Sequence, residues 1–360
     1  MEPRITPIAR IGELKIKQYL LKTLAVLLAC GLALTHPSKN EGAAISQSDE
    51  GGPEQTESLS QTLIYLPLVF KNYSTLPPPA TTSRYMATTN TTHLNNLGCS
   101  EGTAGQNGVI VLDFGQQWIQ NATYGVQLFN GQGFRTTAQI KAAAIAFLSG
   151  YWDCSPAEAK ITLAIGTNNY GAYATQGNGQ AWAQMINEVD AWIKTPPTYE
   201  AKEAVAGAND IETWNNVAAT RAWVNGYDSV NNRPYYNFGS CDGCPYYNHP
   251  EWNPNNNWTQ EDFWYVSWGV KAAWPLPEIY NTLGTHAYQW QYLSLYAYIN
   301  HGMAMEIMGA FTQWQACQGR SCVGTDNTPA AGWLQLYNAL NSDVRTAQGL
   351  QWSTDIKRDY

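Results

Sequence analysis

Residues 108–115 read Gly-Val-Ile-Val-Leu-Asp-Phe-Gly, and residues 136–151 read Thr-Thr-Ala-Gln-Ile-Lys-Ala-Ala-Ala-Ile-Ala-Phe-Leu-Ser-Gly-Tyr. The first stretch is a continuous apolar run that ends in Asp113, the pattern of a strand buried on both faces. The second places Ile140, Ala144, Phe147, Leu148 and Tyr151 on one helical face. Together they predict one βα unit, and the same alternation continues toward the C-terminus.

A second unit pairs a strand over 160–166 with a helix carrying Trp182, Met185, Ile186, Val189, Trp192 and Ile193, which Pro196 and Pro197 stop. A third runs over 203–214, with its helix over 217–227. Residues 234–238 form a fourth strand, followed by an Asn-rich loop and a helix that Thr259 and Asp262 cap, predicted to run through Trp268. A fifth strand over 271–276 ends at Glu278 and precedes a helix over 286–301, closed by Gly302. A sixth covers 305–311, with a helix over 329–340.

Alternating units joined by such crossovers require parallel strands. The fold class is therefore α/β, a TIM-like (β/α) barrel; the alternative is a doubly wound open parallel sheet. Six units are visible where a full barrel needs eight. Either short strands lie near 85–100 and 345–356 or the barrel is incomplete.

In either architecture the functional groups sit where strands run out at their C-terminal ends. Asp113 ends strand one, Asn168 and Tyr170 strand two, Asp210, Glu212 and Trp214 strand three, and Asn237 strand four. Glu278 and Tyr280 end strand five, and Gln313 and Trp314 strand six. The third strand is the most informative, because Ala204, Ala206, Ala208, Asp210 and Glu212 share one parity and so one face. Two carboxylates that close repel, which keeps a proton on one of them, as general acid catalysis at neutral pH requires.

Glycosidic cleavage uses such carboxyls, with rings and amides holding the sugar. On that reading Glu212 is the acid, Asp113 or Glu278 the base or nucleophile, and Asp210 tunes Glu212. Trp214, Trp314, Tyr170 and Tyr280 are candidate sugar platforms; Asn168, Asn237 and Gln313 are candidate hydroxyl partners. The competing reading makes these carboxylates helix caps or partners of Lys and Arg, and these rings ordinary core. The five histidines show no ligand spacing, and no metal or cofactor is expected. Gly-x-Ser-x-Gly, a phosphate-binding loop and a zinc-protease helix are all missing, which removes the esterase, nucleotide and metalloprotease readings.

Composition narrows the partner. Beyond residue 40 the chain carries 14 Lys plus Arg against 26 Asp plus Glu, a surface that repels nucleic acid and anionic lipid. Its 45 aromatic residues suit a polysaccharide or cell-wall glycan as well as a bulky core.

Arg4, Arg10, Lys15, Lys17 and Lys22 precede an apolar run over 23–35 that is too short to span a bilayer, so residues 1–35 read as a secretory signal peptide. Residues 27–31 also roughly fit lipid attachment at Cys30, but the apolar stretch before it is very short. Residues 36–84 read as a disordered tether containing a short apolar segment at 64–72, and 85–360 as the barrel. The mature protein is expected outside the cytoplasm, where six cysteines argue for disulfides. Proximity pairs Cys241 with Cys244 and Cys317 with Cys322, which leaves Cys99 with Cys154. The rival readings of Cys241 and Cys244 are a redox pair or half of a zinc site.

The strings at 207–212 (Gly-Ala-Asn-Asp-Ile-Glu), 236–239 (Tyr-Asn-Phe-Gly), 275–280 (Pro-Leu-Pro-Glu-Ile-Tyr) and 312–317 (Thr-Gln-Trp-Gln-Ala-Cys) resemble a family of exported bacterial proteins of unknown function. That resemblance covers most of 100–356 and implies no activity. Asp-Ile-Glu at a strand end and Val-Leu-Asp-Phe-Gly also resemble the lysozyme-type glycoside hydrolase barrels. That resemblance implies that Asp113, Asp210 and Glu212 are the carboxylates, with Glu212 as the acid. The non-enzymatic alternative is a carbohydrate-binding or cell-surface module that depends on Trp214 or Trp314.

Overall fold

The computed structural model describes residues 74–360 apart from 172, 196, 197 and 319–325. The chain divides into two units, Met1–Leu68 and Val69–Tyr360, and the second holds all the described residues. The expected signal peptide, Cys30 and the 64–72 segment lie outside them.

The elements in chain order are β1 (Thr81–Tyr85), α1 (Thr91–Thr103), β2 (Gly108–Gln120), β3 (Thr123–Gln127), β4 (Phe134–Thr136), α2 (Thr137–Cys154) and β5 (Ile161–Asn168). Next come α3 (Gln176–Ile193), β6 (Glu203–Asp210), α4 (Val217–Val230), β7 (Tyr235–Asn237), α5 (Gln260–Trp264) and β8 (Ala273–Pro275). The last are α6 (Thr285–His301), β9 (Gly309–Thr312), α7 (Trp314–Cys317), α8 (Pro329–Leu340) and β10 (Trp352–Arg358).

Eight strands pair in the order β8-β7-β6-β5-β2-β1-β10-β9, every neighbour parallel. The two ends of this path meet. Phe311 N–H donates to Pro277 O and Met308 N–H to Pro275 O, both at 2.9 Å, and Ile279 N–H donates to Phe311 O at 2.8 Å. The protein is a nearly closed (β/α) barrel, which rules out the open doubly wound sheet.

Both missing strands exist. β10 falls where a hidden strand was expected, whereas β1 begins at Thr81, inside the expected tether, and most of 85–100 is the helix α1. β1 is short and reads Thr-Thr-Ser-Arg-Tyr, so its apolar pattern is too weak to see in the sequence. The antiparallel hairpin of β2 with β3, extended by β4, was also missed; Asn121 and Ala122 turn it with positive φ. The helix predicted through Trp268 stops at Trp264 and continues as a π-turn over 265–269, although its Thr259–Asp262 capping box is formed.

Alternation along the strands divides the apolar residues into two clusters. Val109, Val111, Ala164, Ala206, Ala208, Phe238, Leu276, Phe311 and Ile356 fill the barrel, while Ile110, Leu112 and Phe114 face the helices with the larger cluster. The helix layer is tight. A Cβ on Gly150 of α2 would lie 1.9 Å from Asn95 O of α1, and Cys99–Cys154 bonds the same two helices.

Glu203 starts β6 at the bottom of the barrel, buried, with neither carboxyl oxygen hydrogen-bonded. Neighbouring Lys202 turns its amine to Ser155 O at 2.8 Å instead. Burial, and to a lesser degree Asp153, push the Glu203 carboxyl up to about 9 against the opposing charge of Lys202. A raised acid stabilises the fold fully below its unfolded value and loses that contribution as pH rises through the folded one. Unfolding free energy should therefore fall by about 4 kcal/mol between about pH 5 and about pH 8 on account of this group. Urea titrations of wild type and Glu203→Gln at both pH values test this: the variant should lose most of that slope, and identical slopes would refute the assignment.

Candidate active site at the barrel mouth

Inward parity delivers the carboxylates to one place. Above Val109 and Val111 the next inward residue of β2 is Asp113; above Ala206 and Ala208 that of β6 is Asp210. Asn168 of β5 is in register with Asp210, so β5 and β6 end level. Asp113 sits at a register shift in β2, where Gly115 takes φ 101° and its N–H donates to Asp113 Oδ1 at 2.9 Å. Asp113 leans over Gly166 of β5, where a Cβ would lie 3.3 Å from its own.

Asp210, Glu212 and Glu278 bring one carboxylate oxygen each to within 4.8 Å of one another. Among the described residues no Lys or Arg pairs with any of them; the only basic neighbour is His286, with Nδ1 3.5 Å from Glu278 Oε1. His286 Nδ1 accepts the Tyr280 N–H at 3.3 Å, so its proton resides on Nε2, 4.0 Å from Asp242 Oδ1. Burial lowers the affinity of this imidazole for a second proton, with Asp242 opposing.

Uncompensated charge sets the electrostatics. Burial, then Glu212 and Asp113, hold Asp210 well above the carboxylate range. Burial and then Asp242 bring Glu212 up to about 7. Burial, then Glu212 and Asp210, raise Glu278 strongly, and burial brings Asp113 up to about 7 against the Gly115 N–H. Three acids this close cannot all ionise, so the group retains protons at neutral pH. The same oxygens could hold a hard cation.

A cleft of about 390 Å³ opens over Asp210 and Glu212, walled by Gln116, Phe129, Asn168, Asn169, Tyr170 and Asn215. Asn169 fixes Glu212 at the backbone. Its Oδ1 accepts the Glu212 N–H at 3.2 Å and its Nδ2 donates to Glu212 O at 3.1 Å. Trp214 is 59% exposed, with Nε1 donating to Asp242 Oδ2 at 2.8 Å, and Tyr170 is 64% exposed. Tyr280 and Tyr85 share a hydroxyl hydrogen bond beside the carboxylates.

Several expectations need correction. Asn237 is fully buried, its Nδ2 donating to Ser267 Oγ at 2.8 Å and its Oδ1 accepting the Gly239 N–H at 3.1 Å, so a sugar hydroxyl does not reach it. Gln313 Nε2 donates to Asp326 Oδ2 at 2.9 Å, and Gln313 does not line the cleft over Asp210 and Glu212. Trp314 does not end a strand; it begins α7, its N–H on Asp355 Oδ1 at 2.7 Å. Asp113 is fully buried, and burial disfavours the ionised form that a base or nucleophile needs, as it does at Glu278. Asp242, His286, Asn215 and Gln116 were missed: Asp242 and Asn215 lie on loops without periodic signal, Gln116 lies beyond the β2 register shift, and His286 opens a helix.

Cys241–Cys244 and Cys99–Cys154 are bonded as expected, which removes the zinc reading of the first pair. Cys317 is disulfide-bonded; its expected partner, Cys322, lies outside the described residues. No helix among the described residues is long and apolar enough to cross a membrane.

The fold and the mouth define the class: a nearly closed (β/α) barrel with a carboxylate cluster at its C-terminal face. No family model matches the chain, and no curated protein matches it. Among solved structures, an endo-1,4-beta-mannanase from Rhizomucor miehei is similar at 10% identity and a TM-score of 0.37, over 79% of this chain and 85% of that one.

Proposed function

We propose that the barrel mouth cleaves glycosidic bonds of a polysaccharide or peptidoglycan outside the cytoplasm, by carboxylate acid catalysis. The observation that carries this reading is the close grouping of Asp210, Glu212 and Glu278, without Lys or Arg partners among the described residues, beside an open cleft that Asp210 and Glu212 line. Glu212 lines the cleft and, near neutrality, can give a proton to the leaving glycosidic oxygen. Burial and the nearby Asp242 carboxylate keep that proton in place. Asn168 and Asn215 offer amides to sugar hydroxyls, and Trp214 and Tyr170 offer ring faces.

The full chain, incubated with glucans, mannans, chitin and peptidoglycan, should release reducing ends or muropeptides from at least one. Release from none would leave the binding-module reading. That reading requires retention on one of these glycans, lost in Trp214→Ala and kept in Glu212→Gln.

A further inference from the structure

We propose that the pocket walled by Trp252, Asn253 and Glu261, beside the mouth, is a second binding site for the same glycan, a platform for sugar units lying beyond the cleft. This rests on the reading of the mouth as a glycan site, catalytic or not. The pocket measures about 280 Å³, and its wall also includes Trp258, Gln260 and Tyr296. It adjoins the cleft through one hydrogen bond: Trp258 Nε1 donates to Asn215 O at 2.7 Å, and Asn215 walls the cleft over Asp210 and Glu212. Asn256 Nδ2 donates to Thr213 O at 3.0 Å and Thr213 Oγ1 to Asp242 O at 2.9 Å, so the two loops are tied together at three places. Exposed rings follow the strand order: Tyr170 stands beyond β5, Trp214 beyond β6 and Trp252 beyond β7, three neighbours in the sheet. Rings on successive loops match a polymer, which presents one sugar face after another, better than a single small ligand.

The platform is fixed before any ligand arrives. Trp252 is 38% exposed; His249 stacks on it with ring centroids 4.4 Å apart, and Tyr246 meets it edge-on at 5.4 Å. The Cys241–Cys244 bond closes the base of the loop, and Pro245, Pro250 and Pro254 restrict its backbone. Tyr246 and His249 exchange main-chain hydrogen bonds at 3.3 and 2.8 Å. A ring held this way loses little entropy when a sugar lands on it. Polar groups flank the ring. The Tyr296 hydroxyl donates to Glu261 Oε2 at 3.0 Å, and His301 Nε2 lies 2.9 Å from the same oxygen. Among the described residues no hydrogen bond occupies Glu261 Oε1, which is left to accept a hydroxyl. An indole beside amides and a carboxylate suits a sugar ring, whose C–H face stacks and whose hydroxyls donate.

Affinity electrophoresis of the full chain through gels carrying hydroxyethyl cellulose, galactomannan or glycol chitin tests the site, in the Glu212→Gln background so that no chain is cut during the run. Retardation is expected in at least one gel, and Trp252→Ala should weaken the apparent affinity about three- to tenfold, the worth of one ring contact. Trp252→Phe keeps a ring and should recover most of the loss, which separates stacking from damage to the loop. Circular dichroism establishes which variants are folded. If Trp252→Ala is not, Asn253→Ala, a change at an exposed side chain, takes its place, with an expected weakening of about two- to tenfold. No retardation in any gel, or equal retardation of the folded variant, would overturn the proposal. Retardation that depends on Trp252, in a protein whose wild type cuts no glycan, would sink the hydrolase reading and leave this one intact. Cleavage by the wild type, with retardation indifferent to residue 252, would do the reverse.

Discussion

Glu212→Gln is expected to lower glycan release about 10²–10⁴-fold, the range for removing a general acid, while leaving the fold at least as stable as wild type. The two halves of this expectation come from different physics. The amide keeps the shape of the side chain but carries no proton that it can surrender to a leaving oxygen. It also removes one member of a repulsive group, so stability at neutral pH should hold or rise. Asn169 holds residue 212 through its main chain, at 3.2 and 3.1 Å, so the substitution does not release the strand end. Initial rates on whichever glycan the wild type degrades, together with urea midpoints, decide the matter. A variant as active as wild type would remove Glu212 from the chemistry, and a variant that unfolds would mean the cluster is held by contacts other than those described.

Gly150→Ala is expected to destabilise the protein by about 3 kcal/mol or more, against the sign that helix propensity predicts. In an exposed helix this change gains about 1 kcal/mol. Here the added carbon would lie 1.9 Å from Asn95 O and 2.8 Å from Asn95 C, with Cys99 N at 3.0 Å. These are backbone atoms of α1, which cannot rotate away as a side chain would. A Cβ on Gly98 would likewise lie 1.9 Å from Phe147 O, so the two helices cross backbone to backbone. The Cys99–Cys154 bond denies them the slide apart that would relieve the clash. Overpacking typically costs about 1–3 kcal/mol, and a contact with backbone belongs at or beyond the top of that range. Urea unfolding of the variant measures it; an unchanged or raised midpoint would mean that the helices do not approach this closely.

The carboxylate cluster also separates what is local from what is assembled. Asp210 and Glu212 were visible as a pair because a strand was expected over 203–214; β6 stops at Asp210, and Glu212 follows it in the turn, two residues on. Their partner Glu278 was visible as a strand-end carboxylate, but its approach to within 4.8 Å is a property of barrel closure, in which the stretch after β8 pairs with β9. Asp113 was visible as the residue that ends the first strand, yet not its burial, which depends on how the β2 bulge and the hairpin beyond it cover that edge.

The sequence by itself determined the alternation of strands and helices, the inward face of β6, two of the disulfide pairs, the Thr259 capping box and the acidic charge beyond residue 40. Each of these rests on interactions between residues close in the chain, on composition, or on a short repeat. Only the tertiary structure decided that the sheet closes, through β1 and β10, whose short polar patterns carry no periodic signal. It alone turned Asn237 inward to Ser267, set Trp314 on a helix, and brought Asp242 and His286 to the mouth. The physical reason is common to all of these: a side chain's partner across a barrel is fixed by strand register and loop course, and neither is written in local propensity.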